Sequence, residues 1–218
     1  STVHDTATAE QALALILAAQ RGLVRVLEQQ SRGHWEAFPT PGLADRRVLT
    51  LGFGGVGKAI VQRLDAFEVE QTVVASRART EDGRHVHAIT ELEALLPGTD
   101  ILVIALPGAP ETDRLIGDRA LSLLPDGALV VNVGRGTVFD MDALVDHVAR
   151  GRIRLATDVV DPEPLPADHP AWRLEGVVIA PHVGGNTPAG RSRMARLLAL
   201  QIERMSRGEP PVNVVIRT

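Results

Sequence analysis

The chain has no cysteine. Without thiols there is no disulfide staple, no thiolate metal site and no sulfur nucleophile, and the composition suits a reducing cytoplasm. No metal site is expected. The longest apolar run, Ala12 to Ala19, falls well short of the roughly 20 residues that span a bilayer, and no basic segment precedes it. Neither a membrane partner nor a signal peptide is therefore expected. An excess of positive charge is missing too, since 23 Lys and Arg stand against 27 Asp and Glu with the signs interspersed. With no basic stripe to neutralise a phosphate backbone, nucleic acid is not an expected partner. There is no internal repeat, no low-complexity tract and no initiating Met. The chain opens at Ser1 and enters an apolar helical pattern almost at once, as though a segment had preceded it.

What is present is apolar content, 44% of 218 residues, enough to bury the core of one good-sized domain or two small ones. From about Thr8 to Arg32 the apolar positions recur at helical spacing, which predicts one long helix with Gly22 as a candidate break and Gly33 as a stop. His34 to Asp45, with two prolines and a lone Trp35, reads as a loop. After it come short β-branched runs at 47–51, 72–76, 101–106, 128–133, 154–159 and 177–180. Helical patterns lie between them at 56–67, 91–96, 117–124 and 141–150, and a last one follows at 189–207. Several of the strand runs are apolar throughout rather than alternating, as a parallel sheet covered on both faces requires. The expected fold is α/β, a doubly wound parallel sheet of Rossmann type behind a long N-terminal helix. Residues 1–41 form the leading helix and connecting loop, 42–187 the core, and 188–218 a closing helix and tail.

The segment Gly52-Phe53-Gly54-Gly55-Val56-Gly57 follows a predicted strand and opens a predicted helix, the context in which a GxGxxG pattern marks a dinucleotide site. Gly52 suits a tight turn, Gly54 the approach of a pyrophosphate, and Gly57 close helix–strand packing, with the helix N-terminus facing the anion. The alternative is a glycine-rich turn with no ligand. At the end of the next strand an NAD site presents Asp or Glu to the ribose. Here Ser76, Arg77 and Arg79 stand in that region, which suits a 2′-phosphate and puts NADP ahead of NAD as cofactor. The alternative is a solvated basic loop.

Three more segments sit just beyond strand ends. Asn132-Val133-Gly134-Arg135-Gly136 holds an arginine between glycines, placed to grip a carboxylate bidentately. Asp158 to Pro164 carries Glu163, and Pro181-His182-Val183-Gly184-Gly185 carries the histidine. Alone, His182 reads as structural and Glu163 as a solvated carboxylate. If the two meet, the carboxylate orients the imidazole, raises its pKa and makes it a proton donor for a carbonyl.

These motifs, in this order and spacing, resemble the D-isomer-specific 2-hydroxyacid dehydrogenases over essentially the whole chain. The resemblance implies an NAD(P)-dependent oxidoreductase that interconverts a small 2-hydroxy acid and 2-oxo acid. Arg135 would bind the substrate carboxylate and carbonyl, His182 would be the acid–base and Glu163 its partner. Gly52, Gly54, Gly55, Val56, Gly57, Ser76, Arg77, Arg79, Val133 and Gly184 would bind the cofactor. Asp158 would contact the nicotinamide carboxamide, and Leu106-Pro107 would form the wall beside the ring. Homodimerisation through the first helix and the following loop is also implied, although the apolar face from Ala12 to Leu27 could equally be buried within one chain.

Three departures from the family stand out. The resemblance implies a first lobe of roughly 100 residues preceding the opening helix, and these 218 residues are expected to lack it. The acidic ribose contact is replaced, and one residue is added between Gly57 and Ser76. Two further readings stay open: an NAD(H)-sensing binding module like the corepressors of the same family, and a non-catalytic cofactor-binding domain. With the first lobe absent, cofactor binding with little or no turnover is expected.

Overall fold

A computed structural model describes residues 3–212. The end of the predicted tail, 213–218, lies outside the described residues. Helix α1 (Asp5–Gln20) and helix α2 (Leu23–Ser31) replace the single long helix. The break falls at Gly22, which adopts φ +62° and whose missing Cβ leaves 2.8 Å to the Phe38 ring. Only glycine enters that conformation cheaply.

The chain then alternates between strands and helices in the order β1 (Arg47–Leu51), α3 (Gly55–Leu64), β2 (Glu70–Ala75), β3 (Arg79–Glu81), β4 (Arg84–Ala88) and α4 (Leu92–Leu95). It continues with β5 (Ile101–Ile104), α5 (Asp118–Leu123), β6 (Ala128–Asn132), α6 (Met141–Ala149), β7 (Ile153–Thr157), β8 (Val177–Ile179) and α7 (Pro188–Ser206). All eight strands form one sheet in the order β3-β4-β2-β1-β5-β6-β7-β8, parallel except where β3 pairs with β4. β1 pairs with β2 on one side and β5 on the other, so the chain reverses its direction of travel across the sheet there. A crevice opens beyond the carboxyl ends of strands at such a switch point.

Adjacent residues of each central strand feed opposite faces. Val48, Ile101, Val103, Leu129 and Val131 pack under α1 and α3, while Leu49, Leu102, Ile104 and Val130 pack under α4, α5 and α6. Burial on both faces explains the unbroken apolar runs. The face of α1 belongs to this interior, with Ala9, Ala12, Leu13, Leu15 and Ile16 buried. Leu23, Val24, Val26 and Leu27 of α2 are exposed instead, so the apolar face from Ala12 to Leu27 divides at Gly22. Among the described residues, no helix is long and apolar enough to cross a membrane.

The hairpin β3–β4 is an element the sequence reading missed, and it corrects the placement of Arg79, which lies on a strand and not in a loop. Asp82 and Gly83 form its turn, both with positive φ. An Asp-Gly pair is a strong hairpin signal. It went unread because the flanking residues are polar, as befits an edge, and only Val86 of the hairpin is buried.

At the opposite end of the sheet, Arg47 donates to both carboxylate oxygens of Asp100, at 3.1 and 2.7 Å, and its backbone N–H adds a third bond at 2.9 Å. These bonds, led by the Arg47 side chain, hold the Asp100 carboxyl below its ordinary range. A depressed carboxylate contributes stability that is complete above its unfolded pKa, about 3.9, and is lost as pH falls through the folded value. Asp100→Asn should cost about 1–2 kcal/mol at neutral pH. In urea melts, that difference from the parent should shrink as pH drops below about 4. A cost unchanged by pH would contradict the ion pair.

Candidate active site

Every residue singled out from the sequence lies at or beyond the carboxyl end of a strand, apart from Arg79 on β3 and the helix-opening Gly55, Val56 and Gly57. Gly52 follows β1, Ser76 and Arg77 follow β2, Leu106 and Pro107 follow β5, Val133 and Arg135 follow β6, Asp158 and Glu163 follow β7, and His182 and Gly184 follow β8. One edge of the sheet therefore collects them.

Backbone crowding explains the glycines. Gly52 has φ +107°, and a Cβ there would lie 2.7 Å from the Ala105 carbonyl oxygen, so β1 and β5 leave the sheet in contact. A Cβ on Gly57 would collide with the Gly52 carbonyl, which locks α3 onto the turn. Gly54 is different, since a Cβ there would meet nothing within 4 Å. Its open side faces space beside the first amides of α3, and an approaching anion fits such a cradle. One neighbour comes unforeseen from the sequence: the Asp5 carboxylate occupies the position a Cβ on Gly55 would take.

Arg135 is held by similar crowding. A Cβ on Gly134 would strike the Leu106 backbone, and one on Gly136 the Val160 carbonyl. The arginine loop is thus wedged between the loops that follow β5 and β7. Buried Asn132 completes the clamp: its Oδ1 accepts from Gly134 N–H and its Nδ2 donates to the Arg135 carbonyl, both at 2.9 Å. The guanidinium itself is exposed and donates through Nη1 to the Gly134 carbonyl at 2.7 Å.

Glu163 and His182 do meet. His182 Nδ1 lies 2.8 Å from Glu163 Oε2, while Glu163 Oε1 accepts from Val160 N–H at 3.2 Å. With an ionised carboxylate as acceptor, the proton sits on Nδ1. The two side chains are 48% and 37% exposed, so nothing among the described residues closes over them. Among the described residues, no hydrogen bond joins Arg135 to the pair.

His182 has φ +52°, a backbone strain that a non-glycine residue keeps only when its surroundings impose it. Asp158 imposes it. This carboxylate, 2% exposed, accepts from Val183 N–H at 2.9 Å, Gly184 N–H at 2.8 Å and Gln11 Nε2 at 3.3 Å, and its carbonyl accepts from His182 N–H at 2.9 Å. Both carboxylate oxygens are therefore engaged by the histidine loop and α1. The roles of Gln11 and Asn132 were not legible in the sequence, because each depends on a partner that only the fold brings near.

The profile of the family described as "D-isomer specific 2-hydroxyacid dehydrogenase, NAD binding domain" matches residues 13–184. The chain belongs to this family. The glyoxylate/hydroxypyruvate reductase B of Pectobacterium atrosepticum is 36% identical over 203 residues, covering 89% of this chain and 63% of that protein. The human glyoxylate reductase/hydroxypyruvate reductase is 33% identical over 211 residues, covering 93% and 64%. A solved structure of a probable 2-hydroxyacid dehydrogenase from Rhizobium etli, in complex with NADP, HEPES and L(+)-tartaric acid, superposes with a TM-score of 0.86 at 29% identity. That superposition covers 97% of this chain and 68% of the other. The chain spans less than two thirds of the length of these two reductases.

Removing the Asp158 carboxylate should loosen the histidine loop. Asp158→Ala strands the backbone donors of Val183 and of buried Gly184 and should cost about 2–4 kcal/mol in urea unfolding. It should also speed hydrogen exchange at the amides of Val183 and Gly184. Exchange at the parent rate would show that the carboxylate does not hold the loop.

Proposed function

We propose that this chain carries the cofactor-binding half of an NAD(P)-dependent enzyme interconverting a small 2-oxo acid and the corresponding 2-hydroxy acid. The observation that carries the reading is the 2.8 Å contact between His182 and Glu163 on the same sheet edge as the glycine turn and Arg135. A dinucleotide fits: Gly54 is open where a pyrophosphate would approach, Gly55 and Val56 present the first amides of α3, and Gly52 and Gly57 keep turn and helix together. Ser76, Arg77 and Arg79 would surround the adenosine ribose, and Leu106, Pro107, Val133 and Gly184 would line the crevice nearer the ring.

When bound in reduced form, the nicotinamide supplies a hydride. The chain's own residues do the rest. Arg135 would grip the acid's carboxylate with its exposed guanidinium, fixing the carbonyl beside the ring. Protonated His182 would donate from Nε2 to the carbonyl oxygen, its Nδ1–H held by Glu163, and the carboxylate would stabilise the imidazolium before transfer. Asp158 would act through the loop, setting the height of the imidazole by its bonds to the next two amides. The acid would be of the glyoxylate or hydroxypyruvate class that the names of the relatives carry.

Two details extend the reading. NADP is favoured over NAD because the ribose region offers a hydroxyl at Ser76 and a guanidinium at Arg77, where an NAD site presents a carboxylate. A homodimer is favoured by the exposed apolar residues of α2 with Trp35, 97% exposed in the following loop, beside a cleft of about 770 Å³ between Phe38 and Trp172. A binding-only reading of these 218 residues draws on the openness of the pair, since hydride and proton transfer need water kept out. We therefore expect dinucleotide binding with little or no turnover.

Calorimetric titration tests this. NADPH should bind more tightly than NADH, and Arg77→Asp should weaken NADPH about 10-fold or more while changing NADH less than about 2-fold, the loss of one charge-assisted contact. Equal losses for both cofactors would remove the phosphate assignment. Turnover of glyoxylate at about 10 s⁻¹ or more, ordinary for an enzyme, would remove the binding-only reading.

A further inference from the structure

Two of the cations near the ribose edge, Arg79 and Lys58, are already paired. Arg79 donates from Nε to Glu81 Oε2 at 2.6 Å and from Nη1 to the Arg77 carbonyl at 3.2 Å. Lys58, the residue after Gly57 in α3, donates to the other oxygen of the same carboxylate, Glu81 Oε1, at 2.5 Å and approaches Asp82 Oδ2 at 3.1 Å. Both cations flank the face of Phe53 in the glycine turn, at 5.3 Å and 6.0 Å from its centroid. A line of alternating charge thus runs from the glycine turn to the end of β2, and Glu81 is its hub.

We propose that Glu81 sets the strength of 2′-phosphate selection, acting as an internal competitor that neutralises Arg79 and Lys58 when the cofactor is absent. This rests on the dinucleotide reading above. Bonds from Lys58 first and Arg79 second hold the Glu81 carboxyl below its usual range, so it is an anion throughout the neutral region. The side chains of Lys58, Glu81 and Arg79 are 36%, 32% and 38% exposed. Ion pairs this open are weak and are exchanged readily for a stronger anion. A 2′-phosphate, carrying close to two negative charges, offers Arg79 a better acceptor but must displace or repel the Glu81 carboxylate. The 2′-hydroxyl of NAD carries no charge and meets neither gain nor cost. The hairpin is therefore a specificity element: its turn carries Asp82, its first strand carries Glu81 and Arg79, and Lys58 ties both acids to α3.

The test is the ratio of NADPH to NADH affinity, measured by calorimetry on the whole chain. Glu81→Gln keeps the shape and removes the charge, and it should raise the ratio about 5- to 20-fold through NADPH alone. That gain should shrink at about 0.5 M salt, where exposed charges are screened. Lys58→Met, which leaves Glu81 to hold Arg79 undivided, should lower the ratio about 3- to 10-fold. Opposite shifts in two variants cannot come from misfolding. A ratio within about 2-fold of the parent in both variants, with both cofactors still bound, would overturn the role of Glu81 alone. If the parent chain binds neither cofactor, the dinucleotide reading falls and this inference falls with it.

Discussion

The site depends on backbone packed against backbone at the carboxyl edge of the sheet, with no room for a side chain between. Gly57 rests on Gly52, Gly52 on Ala105, Gly134 on Leu106 and Gly136 on Val160. The first contact seats α3 on the turn after β1, and the other three each join two chain segments leaving the sheet, so that turn and the loops after β5, β6 and β7 form one interlocked rim. Main chain cannot swing aside as a flexible side chain can, and adding a methyl group at these points must move a strand or a loop. The rim turns a topological fact, that parallel strands share one carboxyl edge, into a fixed position for Arg135.

Buried polar groups then orient what the rim positions. Asn132 reaches both sides of the arginine loop, and Asp158 gathers the amides behind His182. Gln11 links that carboxylate to α1, and His4 Nδ1 lies 3.3 Å from the Gly185 carbonyl, so the first helix braces the histidine loop from behind. At the far end of α1, Gln20 bonds both Arg154 and the Gly42 carbonyl, at 2.6 Å each. Helix α1 is thus fastened at its end to β7 and near its start to the loops that carry Asp158 and His182. Ala12, Leu13 and Ile16 bury the same helix whose Gln11 reaches Asp158 behind the histidine loop.

Much of this was legible in the sequence because parallel sheets leave a strong trace. Unbroken apolar strands, glycines at their ends and candidate site residues one to six positions beyond them follow from double-sided burial and a shared edge. The meeting of Glu163 and His182 was readable only as a condition, because nothing in the spacing of two loops fixes whether they touch. Polar elements left less trace. The β3–β4 hairpin buries little, so its alternation carried no signal beyond Asp82-Gly83. Lys58, Glu81, Asn132 and Gln11 look like ordinary surface or strand-end residues until the fold supplies their partners.

The central claim, that the glycine turn and the loops bearing Arg135 and His182 face one dinucleotide, is tested most directly by backbone amide NMR during addition of NADPH. The account predicts shifts at Gly54, Gly55, Arg77, Leu106, Val133 and Gly184, with residues of α2 and the cleft near Trp172 unmoved. Shifts confined to that cleft, or a spectrum unchanged at saturating cofactor, would contradict it.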